Sequence, residues 1–345
     1  MNGTGRFAEP RTAGGSGERD VIPAAPRVHP RGTRVASGRP ADQGRRSVPR
    51  RAEPTRGWHA VPVREPLPTE PLPAETALAA PVASGHALAL LPAVGVSVSA
   101  LLLFGLHVRP LGYLVLVLSL VGAFLLDRGL GKDLLLIGVG ISIVSTTSMA
   151  ADVSWGRFVA IGTALTLAVA VPFLIDRFVY KRKAIRFPWR TGKSWPRLEK
   201  GYLVLVPLLG WAILPSYFIS SGAYQNWPDI TDGSELARFF VGVNAVGTWD
   251  ELFFICTCFV LLRRHFPVWQ ANLLQATIFV SFLWELGYRE WGPLLTIPFA
   301  LLQGFIFTRT GSLTYVLIVH LLFDAIVFLA IVHAHNPEMF AIFVY

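Results

Sequence analysis

The chain has 345 residues, of which 52% are hydrophobic and only 15% charged, against about 25% charge in soluble domains. Its net charge of +9 is divided between one terminal stretch and short clusters between apolar runs, so it does not form the basic face that nucleic-acid binding requires. Two cysteines, Cys256 and Cys258, cannot build a disulfide framework and read as packing residues.

Residues 1–85 hold 13 arginines and 8 acids and are rich in Pro, Gly and Ala. With no apolar period, they cannot bury enough surface to offset the entropy of ordering, and a disordered Pro/Arg-rich cytoplasmic tail is expected. The first apolar stretch begins near His86, so no signal peptide is expected. From there, nine stretches approach the roughly 17–25 residues that a span demands: 87–106, 110–126, 134–150, 158–175, 201–220, 236–262, 268–287, 293–308 and 313–334. The predicted fold class is all-α, a polytopic transmembrane helix bundle of about 8–9 spans, because one of the first four is short enough to be interfacial. Residues 86–175 read as accessory helices, 176–200 as a basic loop and 201–345 as the core that carries the chemistry.

The loop 176–200 has nine Lys and Arg against Asp176 and Glu199, which by the positive-inside rule places it in the cytoplasm. An even number of spans before it puts the N-terminal tail there too. The segment Ser221–Glu235 has acids and no base, as an external loop can, whereas Arg263, Arg264 and Arg309 fall on cytoplasmic ends. An integral protein of the plasma membrane is expected, with the lipid bilayer as its first partner. Trp189, Trp195 and Tyr202 read as interfacial anchors.

Five ionisable residues stand away from the ends of three late spans: Asp250, Glu251, Glu285, His320 and Asp324. An acid at mid-membrane costs about 2.5–3.5 kcal/mol on insertion scales, so these groups need partners, and convergence on a shared hydrated site is the economical arrangement. His320 and Asp324 are one turn apart on one face, a spacing suited to a metal or to an acid that orients an imidazole. Adjacent Asp250 and Glu251 diverge by about 100°, and Glu251 shares a stripe with Asn244. Glu285 is awkward, about 25 Å deep on a straight helix from Val268, whereas Asp324 lies about 16 Å and His320 about 10 Å from the cytoplasmic end of their span. These are the parts of a hydrolytic site in which a carboxylate activates water; a proton relay would use the same set. Gln275 and Gln303 read as interhelical hydrogen-bonding residues without chemistry. His333 and His335 read as interfacial, and the paired glycines at 129, 131, 138 and 140 as allowing turns or close helix approach rather than cradling phosphate.

Asp250-Glu251, Glu285 within Ser-Phe-Leu-Trp-Glu-Leu-Gly, the turn Arg309-Thr310-Gly311-Ser312-Leu313 and His320-Leu-Leu-Phe-Asp324 together resemble the CPBP (CAAX protease and bacteriocin-processing, or ABI) family of intramembrane proteases. That family pairs a Glu-Glu-x-x-x-Arg motif with Phe-x-x-x-His and His-x-x-x-Asn/Asp motifs on later spans. Here Asp250 replaces the leading Glu, Ile255 the Arg, and Ser281 and Glu285 the second motif's Phe and His. The resemblance implies an intramembrane endopeptidase acting on a peptide or membrane-protein substrate in a cavity open toward the cytoplasm. Asp250 or Glu251 would activate water, and His320 with Asp324 would polarise the scissile carbonyl or coordinate metal, with Glu285 as a further oxygen ligand for Zn²⁺. Two alternatives stand beside it: a scaffold that kept the fold and lost the chemistry, motivated by Ile255 and Glu285, and a proton-coupled transporter.

Overall fold

In hydrocarbon a backbone must satisfy its own N–H and C=O groups, so long apolar stretches fold as helices joined by brief polar turns. The computed structural model describes residues 87–189, 192, 194–230 and 232–343, and the described residues form nine long helices and no strand. These are α1 (Ala87–Gly105), α2 (Arg109–Leu126), α3 (Arg128–Val144), α4 (Trp155–Val179), α5 (Arg197–Ser220), α6 (Gly233–Arg263), α7 (Val268–Leu286), α8 (Pro293–Thr310) and α9 (Leu313–His335). The tail expected over 1–85 lies outside the described residues. Six helices, α1, α2, α4, α5, α6 and α9, are long and apolar enough to cross a membrane; α3, α7 and α8 fall short on length or apolarity.

Eight of the nine expected stretches coincide with helices to within a few residues. The third, expected at 134–150, is displaced toward the N-terminus because α3 runs through charges that would ordinarily end a span. Asp127 caps it, Oδ1 accepting from the Leu130 backbone N–H at 2.6 Å. One turn later Asp133, 1% exposed, is surrounded by Arg182 Nη2 at 2.7 Å, Arg264 Nε at 2.8 Å and His265 Nε2 at 2.8 Å. Arg182 also donates through Nε to Asp176, whose other oxygen accepts from the backbone N–H groups of Ala184 and Ile185. This chain of charges joins α3, the end of α4 and the turn after α6 at the face that carries the basic loop. The loop also binds the start of α9, where the Leu313 N–H donates to the Pro188 carbonyl and the Tyr315 hydroxyl to the Glu199 carbonyl.

The helix α6 is at the centre, in contact with α3, α4, α7, α8 and α9. Its burial reaches 72%, against 22% for α2 and α4. The middle of α6, Glu251–Phe259, winds as a π-helix, a wider turn often found at functional sites. The expected close approach at Gly140 is present: a Cβ there would lie 2.2 Å from the Phe253 ring.

Replacing Asp133 by Ala would leave Arg264 without its carboxylate and Arg182 with Asp176 alone, a loss of about 1.5–3 kcal/mol by the usual worth of hydrogen bonds to charged groups. The expected outcome is a lower unfolding temperature in detergent and faster proteolysis within residues 180–196, with Asp133→Asn intermediate.

Candidate active site

Asp250 ends the α-helical part of α6 and Glu251 begins its π-helical part, so the two neighbouring acids leave the helix toward different surroundings. Glu251, fully buried, accepts from His320 Nδ1–H at 2.7 Å and from the Gln303 amide at 2.6 Å, both through Oε1. Gln303 donates a second bond, to the Val316 carbonyl at 3.3 Å. Three helices, α6, α8 and α9, thus meet on one carboxylate oxygen. With Nδ1 engaged, the imidazole turns Nε2 toward Asp250 Oδ2 at 3.6 Å and Asp324 Oδ1 at 3.8 Å. Phe299 packs edge-on against the ring at 5.0 Å.

The residues that the sequence brings into question therefore divide. Asp250, Glu251, His320 and Asp324 form one buried cluster, whereas Glu285 does not join it. Its carboxylate accepts from the Met149 backbone N–H at 2.9 Å and lies within electrostatic reach of His107 and Arg109, with Ser148 bonded beside it. The physical reason is depth, since Glu285 sits at the last turn of α7 and meets the loop 145–154 instead of mid-bundle. Among the described residues no three His, Cys, Asp or Glu side chains are grouped to hold a metal ion, so the expected Glu285, His320 and Asp324 ligand set for Zn²⁺ does not assemble in this arrangement. Asn244 likewise stays local, donating to the Phe240 carbonyl in its own helix.

A cavity of about 250 Å³ has Asp250, His320 and Asp324 among its lining residues, while Glu251 and Glu285 are not. Its walls are apolar: Phe158, Ile161 and Leu165 from α4, Phe239 and Val243 from α6, and Met149 and Val153 from the loop before α4. That loop is held by Glu285 at Met149 and by Arg238, whose Nε donates to the Val153 carbonyl at 2.6 Å. Exposed lining residues, Asp152 at the rim with Gly162 and Ala245 on α4 and α6, mark where the cavity reaches the surface. The cavity occupies the half of the bundle that bears loops 145–154, 221–232 and 287–292, opposite the basic loop. The expectation of an opening on the basic side is corrected by these lining residues.

Orphaned acceptors gather at the inner end. Asp250 Oδ1, Glu251 Oε2, Asp324 Oδ2 and Gln303 Oε1 are buried without a hydrogen-bond partner among the described residues, a concentration that calls for donors from water or substrate. The helix makes room for them at Gly247, where a Cβ would fall 1.9 Å from Asp324 Oδ2 and 3.1 Å from the His320 ring.

Gln303 makes the interhelical hydrogen bonds expected of it, and its partner is the acid that holds His320; it lies seven residues before the end of α8 and His320 seven after the start of α9, so across one hairpin they share a depth of about 10 Å. One residue at this site escapes the sequence reading. Tyr288, in the turn between α7 and α8, is 6% exposed and lines the cavity. Burial, reinforced by nearby Asp324, Tyr217 and Asp250, pushes its hydroxyl well above the usual tyrosine range, so it remains a donor.

The family model described as Type II CAAX prenyl endopeptidase Rce1-like matches residues 232–326. Residues 232–326 are therefore similar to that family. No curated protein and no solved structure matches the chain. The Rce1-like segment runs from α6 to the middle of α9 and contains the whole acid and histidine cluster, but the loop 145–154 and the α4 wall of the cavity lie before it.

Alanine in mid-helix ordinarily gains about 0.5–1 kcal/mol over glycine. Gly247→Ala is expected to reverse that sign, losing about 1–3 kcal/mol through overpacking against Asp324, as read from thermal unfolding in detergent.

Proposed function

We propose that this protein is an intramembrane endopeptidase of the CPBP type that hydrolyses a peptide bond in a peptide or membrane-protein substrate entering the apolar cavity. One observation carries the reading: Asp250, His320 and Asp324 share the inner polar end of a largely apolar cavity, with the imidazole fixed from behind by Glu251. An apolar substrate segment fits the walls, and a water bound at the polar end finds acceptors without donors of their own.

In the proposed reaction, Asp250 takes a proton from that water while its oxygen attacks the scissile carbonyl carbon. The carbonyl π electrons move to oxygen; on collapse the C–N bond breaks, and the nitrogen leaves with the proton returned from Asp250. Asp324 and His320 Nε2 complete the cradle for the water. Glu251 holds the ring orientation through Nδ1, and Gln303 holds Glu251. Of the two adjacent acids, Asp250 is assigned the base because it faces the cavity. Among the described residues no metal site forms, and these steps use the chain's own groups. The substrate approaches between α4 and α6 or over the rim opposite the basic loop.

The test is cleavage of quenched-fluorescent peptides, one prenylated and ending in a CAAX motif and one unmodified, by the full chain in liposomes. Asp250→Asn and His320→Ala are expected to lower the rate by about 10²–10⁴-fold, the usual worth of a positioned acid or base. Glu285→Gln should cleave at close to the parent rate, because its amide oxygen can still accept from Met149. Wild-type rates in the Asp250 and His320 variants would eliminate the proposal. Cleavage is also expected to persist in chelator; loss restored by Zn²⁺ would place a metal in the mechanism.

A second reading, a scaffold without chemistry, is favoured by one observation: the second-motif position is occupied by Glu285, which is committed to the loop, and the Arg position by buried Ile255. It predicts that Asp250→Asn leaves every cellular phenotype of the protein unchanged.

A further inference from the structure

With Glu285 turned away, nothing at the second-motif position reaches the acids, and the reaction above, which gives His320 and Asp324 to the water, assigns no donor to the oxygen on which negative charge develops. We propose that Tyr288 supplies that donor as a catalytic residue, its phenol hydroxyl hydrogen-bonding the carbonyl oxygen of the scissile bond. The inference rests on the peptidase reading of the same site.

Tyr288 borders two cavities at once. It lines the large one together with Asp250, His320 and Asp324. It also lines a niche of about 20 Å³ beside it, together with Thr296, Phe299, His320 and Asp324, room for about one water-sized group. Thr296 lines the niche alone and does not reach the substrate side. The carboxylates cannot donate when ionised, His320 Nε2 lies between Asp250 and Asp324, and Arg238 donates to the Val153 carbonyl, so the Tyr288 hydroxyl is a neutral donor suited to an oxyanion there.

The turn that delivers Tyr288 is fixed before any substrate arrives. Gly287 adopts φ 138°, a conformation that side-chain-bearing residues rarely take, and a Cβ there would lie 2.8 Å from Trp227 Nε1. The N–H groups of Gly287 and Tyr288 both donate to the Leu283 carbonyl, at 3.2 and 3.0 Å. The Tyr217 hydroxyl donates to the Arg289 carbonyl at 2.7 Å. Rings of Tyr217 and Trp227 flank the phenol, at 6.5 and 5.5 Å. Such support is what preorganised stabilisation of a transition state needs.

In bond terms, the water oxygen bonds to the carbonyl carbon, Asp250 receives the water proton, and the π pair becomes an oxyanion that accepts from the Tyr288 hydroxyl, which keeps its proton. Collapse re-forms the carbonyl, releases Tyr288 and breaks the C–N bond.

The test compares wild type, Asp250→Asn and Tyr288→Phe, full chain in liposomes, on the same two quenched peptides. Tyr288→Phe keeps the aromatic packing and is expected to lower kcat about 10²-fold with KM within threefold, as loss of one oxyanion donor does. A Phe variant with parent kcat, or one altered only in KM, overturns the inference while the peptidase reading stands on Asp250→Asn. If the wild type cleaves neither peptide, or if Asp250→Asn stays active, the reading falls and takes the inference with it. Should the Phe variant not fold, 3-fluorotyrosine placed at 288 preserves shape and alters the acidity of the donor. A changed kcat supports the role and an unchanged one overturns it.

Discussion

One carboxylate oxygen organises the centre of this molecule. Glu251 Oε1 receives an imidazole N–H and an amide N–H from two other helices within 2.7 Å, and each partner is itself buried. A charge so deep is tolerable only when paired and hydrogen-bonded, so the acid, the ring and the amide must be placed together or not at all. Their joint placement fixes the register of α8 and α9 against α6. It also decides which nitrogen of His320 faces the cavity. The division between adjacent acids follows: one is spent on architecture and the other left to face the cavity.

Much of this was legible in the residues. The cost of charge in hydrocarbon singled out Asp250, Glu251, His320 and Asp324, and the helix repeat put the last two on one face. Nine apolar stretches announced nine helices. What could not be read was where pairing cancels cost. Asp133 looks like the end of a span until Arg182, Arg264 and His265, residues up to 132 positions away, are seen around it, and so α3 begins earlier than hydropathy suggests. Glu285 fails for the complementary reason: its partner is a backbone N–H in a loop, which has no side-chain signature. Gln303 has the composition of an ordinary interhelical contact, and only its shared depth with His320 betrays it. Tyr288 stands in a turn, where a tyrosine ordinarily marks the membrane interface, and only the fold back under Gly287 brings it inward.

The two faces of the bundle are built differently. On the basic side, ion pairs fasten the loop and the turn after α6 to Asp133 of α3, and hydrogen bonds fasten the loop to the start of α9, leaving arginines partly in contact with solvent or headgroups while their carboxylates are buried. On the other side the loops are thin, aromatic rings fill the space between them, and the cavity reaches the surface. Rigidity and access are therefore kept at opposite ends, with the acids between.

The cavity is walled by two separate stretches of chain, one inside the Rce1-like segment and one before it. The segment from α6 onward contributes the acids, whereas the α4 wall and the loop tied to Glu285 shape the space in which a guest would lie. Acid cluster and cavity wall can then drift apart over evolutionary time: exchanging the early helices among chains that share the same late motifs would reshape the cavity without touching the acids or the imidazole.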